Sequence, residues 1–410
     1  MRLSNFFPAR PGRGWLVVGA AFLSHFLSYG VLTVAFGVFF PFMAETLQLG
    51  RTPLSAAWTV NRFASAALSP FVGVLVDRRG PRLFTVIGVA SLAAGAVVLA
   101  GAHAAWTVVV GYGIVMALGA VALGELTADA TVTRWFARRR SRALAAATMG
   151  LSAAGIVVPV PLAWLIARAG WRTAWLALAV AVLVIGVVAA LGMRDPGERE
   201  VAPQERGPEI TLTAMQATRT RAFWLLVIST NLGGLALFGI NLHLFSYVRD
   251  KGLAPAAAAG LVTYLYILHT LAKPLWGLIA ERMHVRYCIA SCYAGGALGV
   301  VVLTLASDAP GLVAFATIYG LTRGAQSFVT SLAWAEYFGR HAQSAIRGVA
   351  SVFRHLAAAV GPLIGGLLFD LTGTYTLAFT VFASAFALGG LAALIALPPK
   401  QPASVSAVLD

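Results

Sequence analysis

Ten ionisable side chains stand inside long apolar runs of this 410-residue chain: Arg62, Glu125, Asp129, Lys273, Arg323 and Arg354, with His25, His243, His269 and His355. An ionisable group at the centre of a bilayer costs at least about 2.5–3.5 kcal/mol, so each of them needs a partner or a task. Four are fixed cations and only two are acids, with Asp129 close to the end of its run. Buried cations without matching carboxylates favour an anionic partner. The chemistry indicated is recognition of a small anion, not the making of bonds. The two cysteines, Cys288 and Cys292, lie one helical turn apart in a single apolar run. They have no metal-ligand company and too small a number for a disulfide framework. No metal cluster, nucleophile elbow or nucleotide loop is visible, so neither an enzyme nor a cofactor is expected.

Depth sharpens the anion reading. Lys273 precedes Glu281 by eight residues, which places it about 12 Å in from that face at about 1.5 Å per residue. Arg354 follows Arg347, the expected start of its helix, by seven residues, about 10 Å in from the same face. Two cations at one level could bracket a carboxylate. Arg323 lies midway along its run with Tyr319 one turn earlier on the same face, and both are candidate binding residues. His25 and Tyr29 share a face of the first run and are candidate cavity-lining residues. His269 could titrate near neutral pH or simply pack. It is one candidate for moving a proton, and Glu125 is the other. Arg62 and Glu125 are candidates for a buried ion pair, although their depths differ by roughly 9 Å.

The elements that must position these residues are membrane-spanning helices. The chain is 59% hydrophobic and 11% charged, with mean hydropathy +0.82, whereas soluble chains run nearer about a quarter charged. A hydrocarbon core needs about 20 helical residues. Twelve runs qualify: 15–43, 53–76, 83–102, 106–132, 142–167 and 173–193, then 222–247, 256–280, 287–306, 311–335, 346–369 and 374–397. The expected organisation is a cytoplasmic N-terminus (1–14), a six-helix bundle (15–193), a polar linker (194–221), a second six-helix bundle (222–397) and a cytoplasmic tail (398–410). A short surface helix is expected near Ile210–Ala217. The first run is too long for a signal-peptide core and is read as a retained span. A formal charge of +15 would suggest nucleic acid in a soluble protein, but here the charges sit in short loops and no nucleic acid is expected.

Lysine and arginine counted by loop set the orientation. The side holding both ends has 21, the opposite side five and the spans four, accounting for all thirty. Both termini are therefore expected in the cytoplasm. The expected location is a bacterial cytoplasmic (inner) membrane, and the expected state a monomer in the lipid bilayer.

The chain is also written twice. GVLVDRRGPR, Gly73 to Arg82, returns as GLIAERMHVR, Gly277 to Arg286, with Glu281 where Asp77 stood. RWFAR (134–138) lies 202 residues before EYFGR (336–340), and Pro159 and Gly170 lie 203 before Pro362 and Gly373. A repeat of six spans in one orientation implies two bundles about an axis normal to the membrane, with substrate held between them near mid-depth.

The first charged turn, with Gly73, Asp77, Arg78, Gly80 and Arg82, resembles the loop signature of the major facilitator superfamily, Gly-x-x-x-Asp-Arg-x-Gly-x-Arg. The second copy departs from it at Met283 and His284. The resemblance implies an all-α protein of twelve transmembrane helices, and a cytoplasmic gate role for the turn. HTLAKPLWG (269–277) is similar to span 8 of the monocarboxylate and oxalate/formate transporters, where a basic residue stands four before the glycine. FRHLAAAVGP (353–362) is similar to span 11 of the oxalate/formate antiporters. Those families hold substrate carboxylates at these two positions, so the resemblance implies substrate binding by Lys273 and Arg354. RGWLVVGAAFLSHFLSYGVLTVAFGVFF and RWFARRRSRALAAATMGLSAAG also resemble the first and fifth span signatures of the monocarboxylate family. His269 replaces the Asp that animal monocarboxylate carriers use with the span 8 basic residue in proton coupling.

The function so implied is secondary active transport of small mono- or dicarboxylates, by proton symport or anion exchange, with alternating access between two bundles. A drug or metabolite efflux antiporter is the alternative within transport. Its Gly-x-x-x-Gly-Pro-x-x-Gly-Gly signature is missing from span 5, which reads GIVVPVPLAWL. An anion-binding receptor that transports nothing is the alternative outside it.

Overall fold

A computed structural model describes residues 13–136, 140–194, 214–280, 282–324, 326–338 and 343–399. The described chain is built of helices. In the first half they are α1 (Arg13–Tyr29), a π-helical turn (Gly30–Ala35), α2 (Phe36–Leu47), α3 (Arg51–Arg79), α4 (Pro81–Ala100), α5 (Ala105–Val108), a second π turn (Val109–Val115), α6 (Met116–Leu123), α7 (Glu125–Trp135), α8 (Arg140–Val157) and α9 (Pro159–Gly192). A short α10 (Ala214–Thr218) precedes the second half. That half comprises α11 (Arg221–Asp250), α12 (Pro255–Ala280), α13 (Val285–Leu305), α14 (Ala309–Arg323), α15 (Gln326–Phe338), α16 (Gln343–Thr372) and α17 (Thr376–Ile395).

Helix boundaries fall where the sequence supplies caps and turn residues. Thr220 accepts a hydrogen bond from the Phe223 backbone N–H at the start of α11, and Asp308 does so from Gly311 at the start of α14. Proline opens α4 and α9, where its missing N–H costs nothing. Gly170 (φ 79°) turns the chain inside α9, and Gly373 (φ 70°) turns it between α16 and α17. These are the two glycines the repeat equates, and both take the left-handed conformation that side chains resist. The charged turns differ. Gly80 (φ 84°) turns the first copy, whereas the second uses His284 as N-cap, its ring accepting from the Arg286 N–H.

Nine stretches among the described residues are long and apolar enough to cross a membrane. Ala143–Gly192 counts once at 50 residues, although Gly170 turns it. The helix α3, with Asn61 and Arg62 at its middle, is not among the nine. In α3 the residues that thin the apolar signal include Asn61 and Arg62. Val180, Val184, Val187 and Leu191 form an exposed apolar stripe on α9 at helical spacing, as a lipid-facing surface requires.

Within the first half α4 packs on α9 and α6, and α1 on α8 and α9. In the second, α11 packs on α16 and α17, and α13 on α17 and α14. The halves meet along three lines: α3 against α16, α8 and α9 against α12, and α2 against α11.

Candidate functional site

The seam between the halves is clamped at the end opposite Arg13 and Ile395. Arg51, at the start of α3, donates from Nη2 to both Asp250 carboxylate oxygens (3.0 and 2.7 Å) and from Nη1 to Tyr375 Oη (2.7 Å). Its guanidinium also lies 4.1 Å over the Phe369 ring. The backbone N–H groups of Arg51 and Thr52 donate to Asp370, each at 2.8 Å. A helix N-terminus of one half is thus docked on a carboxylate of the other, an arrangement favoured by the helix dipole. Gly50 makes this approach possible, because a Cβ there would stand 2.6 Å from Asp370 Oδ2. Arg249 pairs with Glu45 at 3.0 Å. Sequence reasoning counted Arg51 and Arg249 only as loop charges and missed this clamp. The available signal was three acids, Glu45, Asp250 and Asp370, at helix ends on the side with few cations.

Deeper in the seam the contacts are mostly neutral. Trp58 Nε1 and Thr59 Oγ1 donate to the carbonyls of Ala358 and Ala359 on α16 (2.9 and 2.7 Å). Tyr29 Oη meets Tyr266 Oη at 2.8 Å across the seam. The Tyr266 ring lies so close to Gly155 on α8 that a Cβ there would stand 2.2 Å from it. Thr263 donates to the Ile156 carbonyl at 3.1 Å. Two turns along α12 from Tyr266, Lys273 donates from Nζ to Ser152 Oγ on α8 at 2.9 Å.

The sequence candidates are placed as follows. Lys273 reaches the seam, and Arg354 is exposed on α16. Tyr29 faces the other half, while His25, one turn earlier, turns inward within its own half. His25 is 2% exposed and its Nε2 lies 2.8 Å from Asp129 Oδ1. The shared cavity-lining face expected of His25 and Tyr29 is therefore split. His243 is buried, contacting Tyr375 Oη at 2.9 Å and the Pro362 carbonyl at 2.8 Å.

Arg62 donates to Asn61 Oδ1 at 2.7 Å and lies 5.1 Å over Trp58. The side chain of Glu125, and with it the expected Arg62–Glu125 pair, lies outside the described residues, as do Glu281 and the side chain of Asp77. Gly73, Gly80 and Arg82 sit at the α3–α4 junction beside an exposed Arg78. Arg323 is 4% exposed and its three nitrogens have no hydrogen-bond partner among the described residues, nor do Tyr319 Oη and His269 Nε2.

A helical membrane protein whose two repeated halves meet along a cation-bearing seam has the build of a carrier that opens by moving one half against the other. Comparison with known proteins agrees. The sequence profile of the Major Facilitator Superfamily matches residues 21–268 and 248–408. Monocarboxylate transporter 11 of Homo sapiens is 30% identical over 412 residues, covering 96% of this chain and 86% of that protein. Monocarboxylate transporter 13 of Bos taurus is 28% identical over 393 residues, covering 95% and 91%. A crystal structure of a bacterial homologue of the human lysosomal transporter Spinster, inward-facing and unoccupied, superposes with a TM-score of 0.70 at 13% identity, covering 94% of each chain. The chain belongs to the Major Facilitator Superfamily. It is an integral, multi-pass membrane transporter and not an enzyme, and its relatives include monocarboxylate transporters.

Proposed function

We propose that this protein carries a small organic anion, a mono- or dicarboxylate, across the membrane at the seam between two six-helix bundles. In this reading twelve spans are present, both termini face the cytoplasm, and residues 15–193 and 222–397 are the moving bodies. The observation that carries it is Lys273. Its ammonium stands at the seam, and its described hydrogen-bond partner is the neutral Ser152 hydroxyl of the opposite half. A cation held this way in a low-dielectric setting gains far more from a carboxylate than from a hydroxyl. The names of the similar proteins support the same substrate class.

The mechanism follows from what each contact joins. With the outer clamp of Arg51, Asp250 and Asp370 closed, the seam is approached from the end that bears the termini. An entering carboxylate takes over Lys273, drawing the ammonium off Ser152 and loosening a tie between α8 and α12. Arg354, exposed on α16, supplies a second positive charge on the approach. Closing the cytoplasmic end around the bound anion then trades against opening the outer clamp. Gly73, Asp77, Arg78, Gly80 and Arg82, with Glu281 in the second copy, are the proposed latch of that end. His269 and Glu125 are the proposed proton carriers if the cycle is symport.

Uptake of labelled carboxylates into proteoliposomes tests this in two formats, with unlabelled substrate inside or with an inward proton gradient alone. Stimulation by internal substrate identifies an exchanger, and stimulation by the gradient a symporter. No uptake in either format removes the substrate class.

A further inference from the structure

We propose that Arg323, Tyr319 and His269 form a second, inner anion subsite, so that the substrate is a dicarboxylate with one carboxylate at Lys273 and the other in this pocket. The inference rests on the reading that Lys273 receives a substrate carboxylate.

Arg323 is buried at 4% exposure among aromatic rings, its guanidinium carbon 4.7 Å from the Phe386 centroid, 5.8 Å from Tyr319 and 5.9 Å from Tyr293. Rings can satisfy the faces of a guanidinium, but its N–H donors lie in the plane. None of its nitrogens has an acceptor among the described residues. A buried donor left unmade costs about 1–3 kcal/mol, and a charged one more, so the site calls for an acceptor that none of the described residues provides. The neighbours extend it. Tyr319, one turn earlier on α14, is fully buried with a partnerless hydroxyl, and His269 on α12 has a partnerless Nε2. Each has a polar hydrogen to give, His269 in the tautomer protonated at Nε2. A planar acceptor that takes two parallel N–H bonds from arginine and further bonds from a hydroxyl and an imidazole is a carboxylate.

The pocket also connects to the seam. The His269 ring centroid is 6.3 Å from that of Tyr319 and 5.3 Å from that of Tyr266, whose hydroxyl meets Tyr29 of the other half. His269 lies one turn before Lys273 on α12. Lys273 and Arg323 therefore sit at the two ends of one row of polar groups that includes no carboxylate among the described residues. A monoanion would leave one of these cations bare, whereas an extended dianion answers both.

The test compares labelled succinate with labelled butyrate, its single-carboxylate counterpart, in counterflow into proteoliposomes. The expected result is that the native protein moves succinate at least tenfold faster than butyrate. Arg323→Gln should lose that advantage, its succinate rate falling at least tenfold to about the native butyrate rate, and Tyr319→Phe should raise the KM for succinate severalfold. Succinate should also raise the melting temperature of the native protein and leave that of Arg323→Gln unchanged. Full succinate transport in Arg323→Gln, or equal rates for the two acids in the native protein, would overturn the inner subsite and leave the seam reading standing. Stabilisation by chloride alone that depends on Arg323 would also overturn it, assigning the pocket to an inorganic anion. Transport of neither acid by the native protein would overturn the reading beneath it. If Arg323→Gln does not fold, the Tyr319→Phe KM decides: no change from native refutes the subsite.

Discussion

In the proposed orientation, replacing Arg51 by alanine should release the outer end of the transporter. The side chain makes two bonds to Asp250 and one to Tyr375, and stacks on Phe369. Hydrogen bonds to charged groups are worth about 1.5–3 kcal/mol when buried. Here Asp250 is 40% exposed and Arg51 12%, so solvent screening brings the ion pair toward about 1 kcal/mol or less. Adding the Tyr375 bond and the ring contact, each about 0.5–1 kcal/mol, gives roughly 2 kcal/mol in favour of the closed outer end. At about 1.4 kcal/mol per tenfold, Arg51→Ala should shift the balance about 30-fold toward the outward-open form. The backbone bond from residue 51 to Asp370 survives the substitution, so the clamp weakens without vanishing. In a background with Cys288 and Cys292 changed to serine, a single cysteine at position 59 reports on the seam. Its labelling by a membrane-impermeant maleimide from the outer side should accelerate by up to that factor. An unchanged rate, with the native melting temperature, would refute the clamp.

Other outcomes follow from the same contacts. Gly50→Ala should act in the same direction as Arg51→Ala, because its Cβ would stand 2.6 Å from Asp370 Oδ2. The same maleimide rate measures it. His25→Ala leaves Asp129 without the imidazole at 2.8 Å and should cost roughly 1–2 kcal/mol, read as a lower melting temperature with substrate KM unchanged. Gly170→Ala and Gly373→Ala place a side chain at positive φ in otherwise open space. Each should lower stability by about 1–3 kcal/mol in the same assay.

Much of the fold could be read from apolar run length, because a backbone in lipid has to satisfy its own hydrogen bonds and a helix is the simplest way to do so. The repeat was legible too, and the matched left-handed turns at Gly170 and Gly373 are its structural counterpart. Span counting was less secure at α3, where Asn61 and Arg62 depress hydropathy at mid-helix. Side-chain partners were the least legible. Asp129 looked interfacial, yet it holds His25, since the α1–α7 packing is a long-range fact that no local spacing encodes. Lys273 was found from its depth and motif, but Ser152, a residue with no charge to mark it, could be recognised only once α8 and α12 were seen side by side. The same holds for the pocket around Arg323, whose walls come from α13, α14 and α17.

The central claim is that a carboxylate crosses the membrane on Lys273. The most direct measurement is proteoliposome uptake of labelled carboxylates by the native protein and by Lys273→Gln, reconstituted at equal density and checked for equal melting temperature. Saturable uptake by the native protein and its loss in Lys273→Gln is the predicted result. Native-like uptake by Lys273→Gln would contradict the account, whatever the substrate.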